Sequence, residues 1–165
     1  MSESFSVRIA KLEHVFSAAH FITFAGHCER LHGHNYHVAA QVDGPLDASG
    51  LVIDFLALKA QFEQILIELD HFVLLPAEHP QISVAQSAGE VTATFENHRW
   101  VFPAGDCRLL PLANTTAELL ACHIGQSLLA ALQTQLQFAP ARLRVELDEC
   151  DGQLGIYEFR PKADS

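Results

Sequence analysis

The sequence predicts an α+β sandwich in which two helices cover one face of a sheet. Three observations carry this prediction. Apolar and polar residues alternate near both ends of the chain, two internal segments repeat apolar residues every three or four positions, and the elements come in blocks rather than in βαβ alternation. The order reads strand, strand, helix, inserted hairpin, helix, strand, strand. At 165 residues the chain is expected to be a single domain, residues 1–165, burying roughly 70% of its unfolded surface.

In residues 5–16, FSVRIAKLEHVF, Phe5, Val7 and Ile9 share one parity and Leu12, His14 and Phe16 the other. A strand with a bulge near Ala10–Lys11 accounts for the change of phase. A second strand is expected from Leu31 to Asp43, closed by Gly44–Pro45, since proline cannot continue a ladder. Asp54 is a good N-cap for a helix whose stripe is Phe55, Leu58, Phe62, Ile65 and Leu69, stopping near Asp70–His71. EVTATFENHRWVF, residues 90–102, reads as a hairpin turning near Asn97–His98. A second helix begins at Asn114–Thr116 and carries Leu120, Ile124, Leu128 and Leu132. Strands at about 141–148 and 154–160, joined through Asp151–Gly152, close the fold. Helices on one sheet face leave the other needing cover, which oligomerisation can supply.

With 49% hydrophobic and 18% charged residues, global disorder is excluded. The formal charge of −10 and the lack of a basic stripe argue against nucleic acid as a partner, although a bound metal can make a local site attractive to anions. The four cysteines, Cys28, Cys107, Cys122 and Cys150, form no CxxC pair, and MSESFSVRIAKLEH has no apolar leader core. No apolar run reaches membrane-spanning length. A cytoplasmic protein without structural disulfides or membrane association is expected.

Chemistry concentrates in CERLHGHNY, residues 28–36. Side chains two apart on a strand share a face, so His32 and His34 aim at one point across Gly33, which leaves space between them. His20, in FSAAHFITF, supplies a third imidazole if the first strand pairs with the second. Three histidines and an open position form the arrangement of a catalytic zinc site, whereas structural zinc favours four ligands. Ten histidines make some close pairs inevitable; His14, His27, His37, His79, His98 and His123 are expected on the surface or in packing.

FSAAH, CERLHGHNY, GLVIDF and LDH at 69–71, in that order, together resemble the 6-pyruvoyl-tetrahydropterin synthase family, which includes the bacterial 6-carboxy-tetrahydropterin synthases. Cysteine four residues before the first histidine of HGH is similar to the queuosine-pathway branch. The resemblance implies a tunnelling fold (T-fold), with a four-stranded antiparallel sheet, two helices on one face, and here an inserted hairpin at about 90–102. It implies subunits that join sheets into a barrel, a trimer or a homohexamer built as a dimer of trimers. It further implies Zn²⁺ held by His20, His32 and His34, Cys28 as catalytic cysteine, and Asp70 and His71 as a proton relay. Glu149, in VELDEC, matches a glutamate that grips the pterin ring, and Thr115, Thr116 and Glu118 fall at a Pro-Thr-x-Glu-Asn motif lining that pocket.

The implied activity is conversion of 7,8-dihydroneopterin triphosphate to 6-carboxy-5,6,7,8-tetrahydropterin with loss of acetaldehyde and triphosphate, in queuosine (7-deazaguanine) biosynthesis. Zinc polarises the substrate's side-chain hydroxyls. A thiol is mostly protonated at neutral pH, so Cys28 needs zinc and His71, oriented by Asp70, to favour its thiolate. One carboxylate, Glu149, accepts both the 2-amino group and N3–H of a pterin. Each residue has a plainer role open to it: Cys28 as a small buried hydrophobe, Asp70–His71 as a helix end, Thr115-x-x-Glu118 as a capping box.

The segment departs from the family pattern at Thr115 and Leu119, where proline and asparagine are usual, and residues 76–113 are longer than a minimal member needs. Glu29 lies three residues before HGH, the spacing of relatives that cleave the side chain to a hydroxymethyl pterin for folate synthesis. A 6-pyruvoyl product, this side-chain cleavage, a bifunctional enzyme, or a pterin- or metal-binding module without turnover are the alternatives.

Overall fold

The computed structural model describes residues 3–10 and 14–162. The predicted first strand is two segments, β1 (Phe5–Ile9) and β2 (Val15–His20), and the bulge expected at Ala10–Lys11 lies partly outside the described residues. A two-residue-per-strand hairpin follows, β3 (Thr23–Phe24) and β4 (His27–Cys28), and then the long β5 (His32–Gly44). β1 and β2 both run antiparallel to β5, one along each half, with Phe5 opposite Gly44 and His20 opposite His32. Gly33 faces the backbone of β2, where an added Cβ would come within 2.8 Å of the Ala18 carbonyl oxygen. Its role is therefore close strand approach, not the space between His32 and His34 that the sequence suggested.

α1 (Phe55–Ile67) is capped by the Asp54 carboxylate, which accepts from the Leu56 N–H at 2.8 Å. The helix ends three residues before Asp70. The chain is drawn onto β2 instead, because Ser17 N–H donates to Asp70 Oδ1 (2.8 Å) and His71 N–H donates to Ser17 O (2.6 Å). His71 adopts φ 63°, which a continuing helix forbids.

Residues 72–110 add β6 (Phe72–Pro76), β7 (Ser83–Ser87), β8 (Glu90–Phe95), β9 (His98–Pro103), a 3₁₀ turn at Ala104–Asp106, and β10 (Cys107–Leu110). β8 and β9 are the expected hairpin, and β7 makes it a separate three-stranded sheet. β6 and β10 extend the main sheet as parallel strands beside β2, which the sequence pattern did not reveal. α2 (Ala117–Gln135), β11 (Arg142–Asp148) and β12 (Leu154–Phe159) complete the chain. The main sheet runs β10-β6-β2-β5-β11-β12 with β1 alongside β5, a mixed, mainly antiparallel α+β arrangement.

Both helices lie on one core. Leu58 and Phe62 of α1 and Leu120, Ile124, Leu128 and Leu132 of α2 pack with Phe16, Tyr36, Val38, Ala40, Val42, Leu143, Val145 and Leu147 of the sheet. A second cluster joins Phe21 and Leu75 to Val91, Ala93 and Phe95 of the three-stranded sheet. No helix among the described residues is long and apolar enough to cross a membrane.

Candidate functional site

The core-facing stripe of the sheet runs on past the helices and changes character there. His20 follows Phe16 and Ala18 on β2; His34 and His32 precede Tyr36 and Val38 on β5; Glu149 lies two residues beyond Leu147 of β11. Period-two alternation thus places four polar side chains at one end of an apolar layer.

The imidazoles of His20, His32 and His34 converge, with ring centroids 4.7 Å (His20–His32), 5.3 Å (His20–His34) and 5.0 Å (His32–His34) apart. One ring nitrogen from each lies within 4.8 Å of the others. His20 Nδ1–H donates to the Thr115 carbonyl (2.9 Å) and His32 Nδ1–H to the Arg30 carbonyl (2.8 Å), which assigns the proton of each neutral ring to Nδ1 and leaves Nε2 unprotonated. This donor set fits a divalent metal with nitrogen preference.

His20 is fully buried, and burial pushes its pKa down to about 4, with His32 and His34 adding to the drop against the Thr115 hydrogen bond. The folded state therefore keeps His20 neutral where an unfolded chain would bind a proton. Stability of the metal-free protein should fall as pH drops from about 6.5 toward 4, by up to about 3 kcal/mol from this residue. Urea unfolding of chelator-treated protein at pH 7 and 4.5 checks this, and a His20→Gln variant should show a correspondingly shallower pH dependence.

Glu149 Oε1 lies 3.3 Å from His20 Nε2 and 3.6 Å from His34 Nε2, and accepts from the Tyr36 hydroxyl at 3.3 Å. The Tyr36 hydroxyl is also 3.1 Å from His20 Nε2. Burial, followed by the charge and hydrogen bond of Glu149, pushes the Tyr36 pKa up and keeps it a phenol. Sequence reasoning missed Tyr36, although it shares the parity of His32 and His34.

Glu149, Thr116 and Glu118 line one cavity of about 440 Å³ with Ile22, Gln153 and Gly155. Thr115 stands behind it, fully buried, its hydroxyl donating to Phe21 O at 3.1 Å. The N-cap of α2 is Thr116, accepting from Leu119 N–H, so the Thr115-x-x-Glu118 capping box does not form. Glu118, one position too early for that bond, turns its side to the cavity.

Asp70 Oδ2 bonds His71 Nδ1 at 2.8 Å. Burial would raise the Asp70 pKa, but the Ser17 N–H and His71 more than offset it and hold the carboxyl below its usual range. His71 is largely exposed and shares an open groove of about 530 Å³ with Ser17, Gly33, His34, Asn35 and Asp106.

Cys28, on β4, stands opposite Thr23 and packs half-buried against the second cluster. Burial pushes its thiol pKa up and the Glu29 charge adds to this, so the protein groups around Cys28 favour the thiol over the expected thiolate. Glu29 is half-exposed, with Oε2 3.9 Å from His32 Nε2.

Fold and site together define a tunnelling-fold protein whose histidine triad, at the end of its sheet, could hold a metal ion. Residues 9–159 match the model of the family described as 6-pyruvoyl tetrahydropterin synthase. A protein of Methanocaldococcus jannaschii bearing the provisional name 6-carboxy-5,6,7,8-tetrahydropterin synthase is 31% identical over 146 residues, 86% of this chain and 88% of the relative. The 6-pyruvoyl tetrahydropterin synthase of Plasmodium falciparum is 27% identical with a TM-score of 0.90, covering 97% of this chain and 100% of that one. The Plasmodium vivax enzyme with a catalytic glutamate replaced by alanine is 25% identical with a TM-score of 0.89, at the same coverage. The chain belongs to the 6-pyruvoyl tetrahydropterin synthase family and is an enzyme of this lyase group.

Proposed function

We propose that the protein is a zinc-dependent 6-carboxy-5,6,7,8-tetrahydropterin synthase that acts on 7,8-dihydroneopterin triphosphate and serves 7-deazaguanine (queuosine) biosynthesis. The observation that carries this is the convergence of His20, His32 and His34 at the end of the core-facing stripe, four positions after Cys28 in the case of His32. The name of the M. jannaschii relative supports the carboxy product. Zinc held by the three histidines would supply an open coordination position and polarise the substrate's side-chain hydroxyls.

The chain's own groups do the rest. Cys28 takes the proton from the side-chain carbon, and Asp70 holds His71 so that its imidazole can exchange that proton with solvent. Glu149 accepts the pterin's 2-amino and N3–H donors, with Thr116 and Glu118 beside it. Thr115 acts through His20, fixing its tautomer. The chain works as one domain, and trimers, singly or paired, cover the sheet face opposite the helices.

A second reading, cleavage of the side chain to hydroxymethyl-dihydropterin, is favoured by the Glu29 carboxylate, whose Oε2 lies 3.9 Å from His32 Nε2. Incubation of purified protein with 7,8-dihydroneopterin triphosphate separates these. Acetaldehyde, triphosphate and 6-carboxy-tetrahydropterin are the expected products; hydroxymethyl-dihydropterin alone would establish the second reading, and no turnover would overturn both.

A further inference from the structure

We propose that His79 is a positioning residue: through Thr23 it latches the hairpin that carries Cys28 onto residues 76–113, so that this long segment sets where the thiol sits. The inference rests on the role given to Cys28 above.

The β3–β4 hairpin cannot hold itself. It has two residues per strand, far fewer than an independently stable hairpin needs. It turns through Ala25 (φ 49°) and Gly26 (φ 80°), the first a left-handed conformation unfavourable to alanine, and Phe24 at its edge is exposed. Thr23 is the cross-strand partner of Cys28, so whatever fixes Thr23 fixes the thiol.

Two separate segments grip Thr23. Asn114 Nδ2 donates to Thr23 O at 3.0 Å, and Thr23 N–H donates to Asn114 Oδ1 at 3.4 Å. His79 Nε2 lies 2.7 Å from Thr23 Oγ1. The direction of that bond follows from the other ring nitrogen. His79 Nδ1 accepts the backbone N–H groups of Gln81 (2.9 Å) and Ile82 (2.8 Å), so it carries no proton, and Nε2–H donates to the threonine. Burial lowers the His79 pKa, in keeping with a neutral ring. The imidazole thus has one tautomer and one orientation, each set by its own loop.

The same segment also builds the floor. Phe21, two residues before Thr23, stacks on Trp100 of β9 at 4.5 Å and 21°, and Cys28 packs into that cluster. On the other side, Asn114 Oδ1 accepts from Thr115 N–H (3.0 Å), whose carbonyl bonds His20. A continuous set of hydrogen bonds therefore runs from His79 through Thr23, Asn114 and Thr115 to the histidine triad. A displacement of roughly 1 Å between catalytic groups costs on the order of 100-fold in rate, which gives such a latch its value.

The test uses Thr23→Val, which keeps shape and loses the acceptor, and His79→Asn, which keeps an acceptor for the loop N–H groups but cannot reach Thr23. Thr23→Ser retains the hydroxyl. Alkylation of Cys28 by iodoacetamide, mapped by mass spectrometry against exposed Cys150, reads the latch without turnover. Faster Cys28 labelling by several-fold is expected in Thr23→Val and His79→Asn, wild-type labelling in Thr23→Ser, and a double variant no worse than either single. In turnover, kcat should fall about 10-fold or more in the first two with KM little changed. Labelling at the wild-type rate in both Thr23→Val and His79→Asn would overturn the proposal. Altered labelling in a protein that turns over no pterin would sustain the latch and overturn the proposed function, the role of Cys28 included.

Discussion

Replacing His32 and His34 together by alanine is expected to remove the metal and to lower kcat/KM by about a thousandfold or more. Two of the three converging imidazoles disappear, and the one left, His20, cannot hold a divalent ion alone against solvent. Metal-assisted charge stabilisation is worth several kcal/mol, and each 1.4 kcal/mol is about tenfold in rate. The fold should survive, because His32 and His34 are only partly buried while the packing core lies elsewhere on the stripe. Elemental analysis after gentle purification checks the first half: about one zinc per chain in the wild type and below about a tenth in the variant. Full retention of zinc by the variant would remove these residues from the ligand set. A Thr115 substitution is no substitute for this test, since it is the Thr115 backbone carbonyl that orients His20.

The histidine triad was legible because it depends on two regularities that a sequence displays. Period-two alternation puts His32 and His34 on one face, and antiparallel pairing of neighbouring strands brings His20 opposite His32. The cap of α1 at Asp54 was legible for a similar reason, being local chemistry. The features that escaped are those decided by distant partners. α1 ends at Ile67 because Asp70 and His71 bond Ser17 on β2, more than fifty residues earlier in the chain. β6 is FVLLP, a short apolar run ending in proline, and a buried parallel strand gives no alternation to recognise. β7, SVAQS, is mostly exposed and polar. His79 passes for a surface histidine until the fold brings Thr23, 56 residues away, to its ring. Thr116 rather than Thr115 caps α2 because Thr115 is committed on both its hydroxyl and its carbonyl to the β2 end.

Cys28→Ala and Glu29→Ala are expected to have opposite consequences for the product, and this pair decides which bond in the substrate breaks. Loss of a positioned general base costs about 10²–10⁴ in rate, so Cys28→Ala should abolish measurable formation of the carboxy product. Any hydroxymethyl-dihydropterin formed by wild type should persist in that variant and vanish in Glu29→Ala, because its base is the carboxylate near His32. The pH dependence separates the two further. Burial and then the Glu29 charge raise the Cys28 pKa, so the carboxy-forming rate should climb with pH as the thiolate fills. Removing the neighbouring negative charge lowers that pKa, and Glu29→Ala should therefore shift the rising limb to lower pH and label faster with iodoacetamide at neutral pH. Product-resolved pH–rate profiles of wild type and both variants make the measurement. A carboxy-forming rate in Glu29→Ala with an unshifted or upward-shifted limb would mean that Glu29 does not act on the thiol. Carboxy product persisting in Cys28→Ala would mean that the thiol is not the base, and the proton would then pass to Glu29.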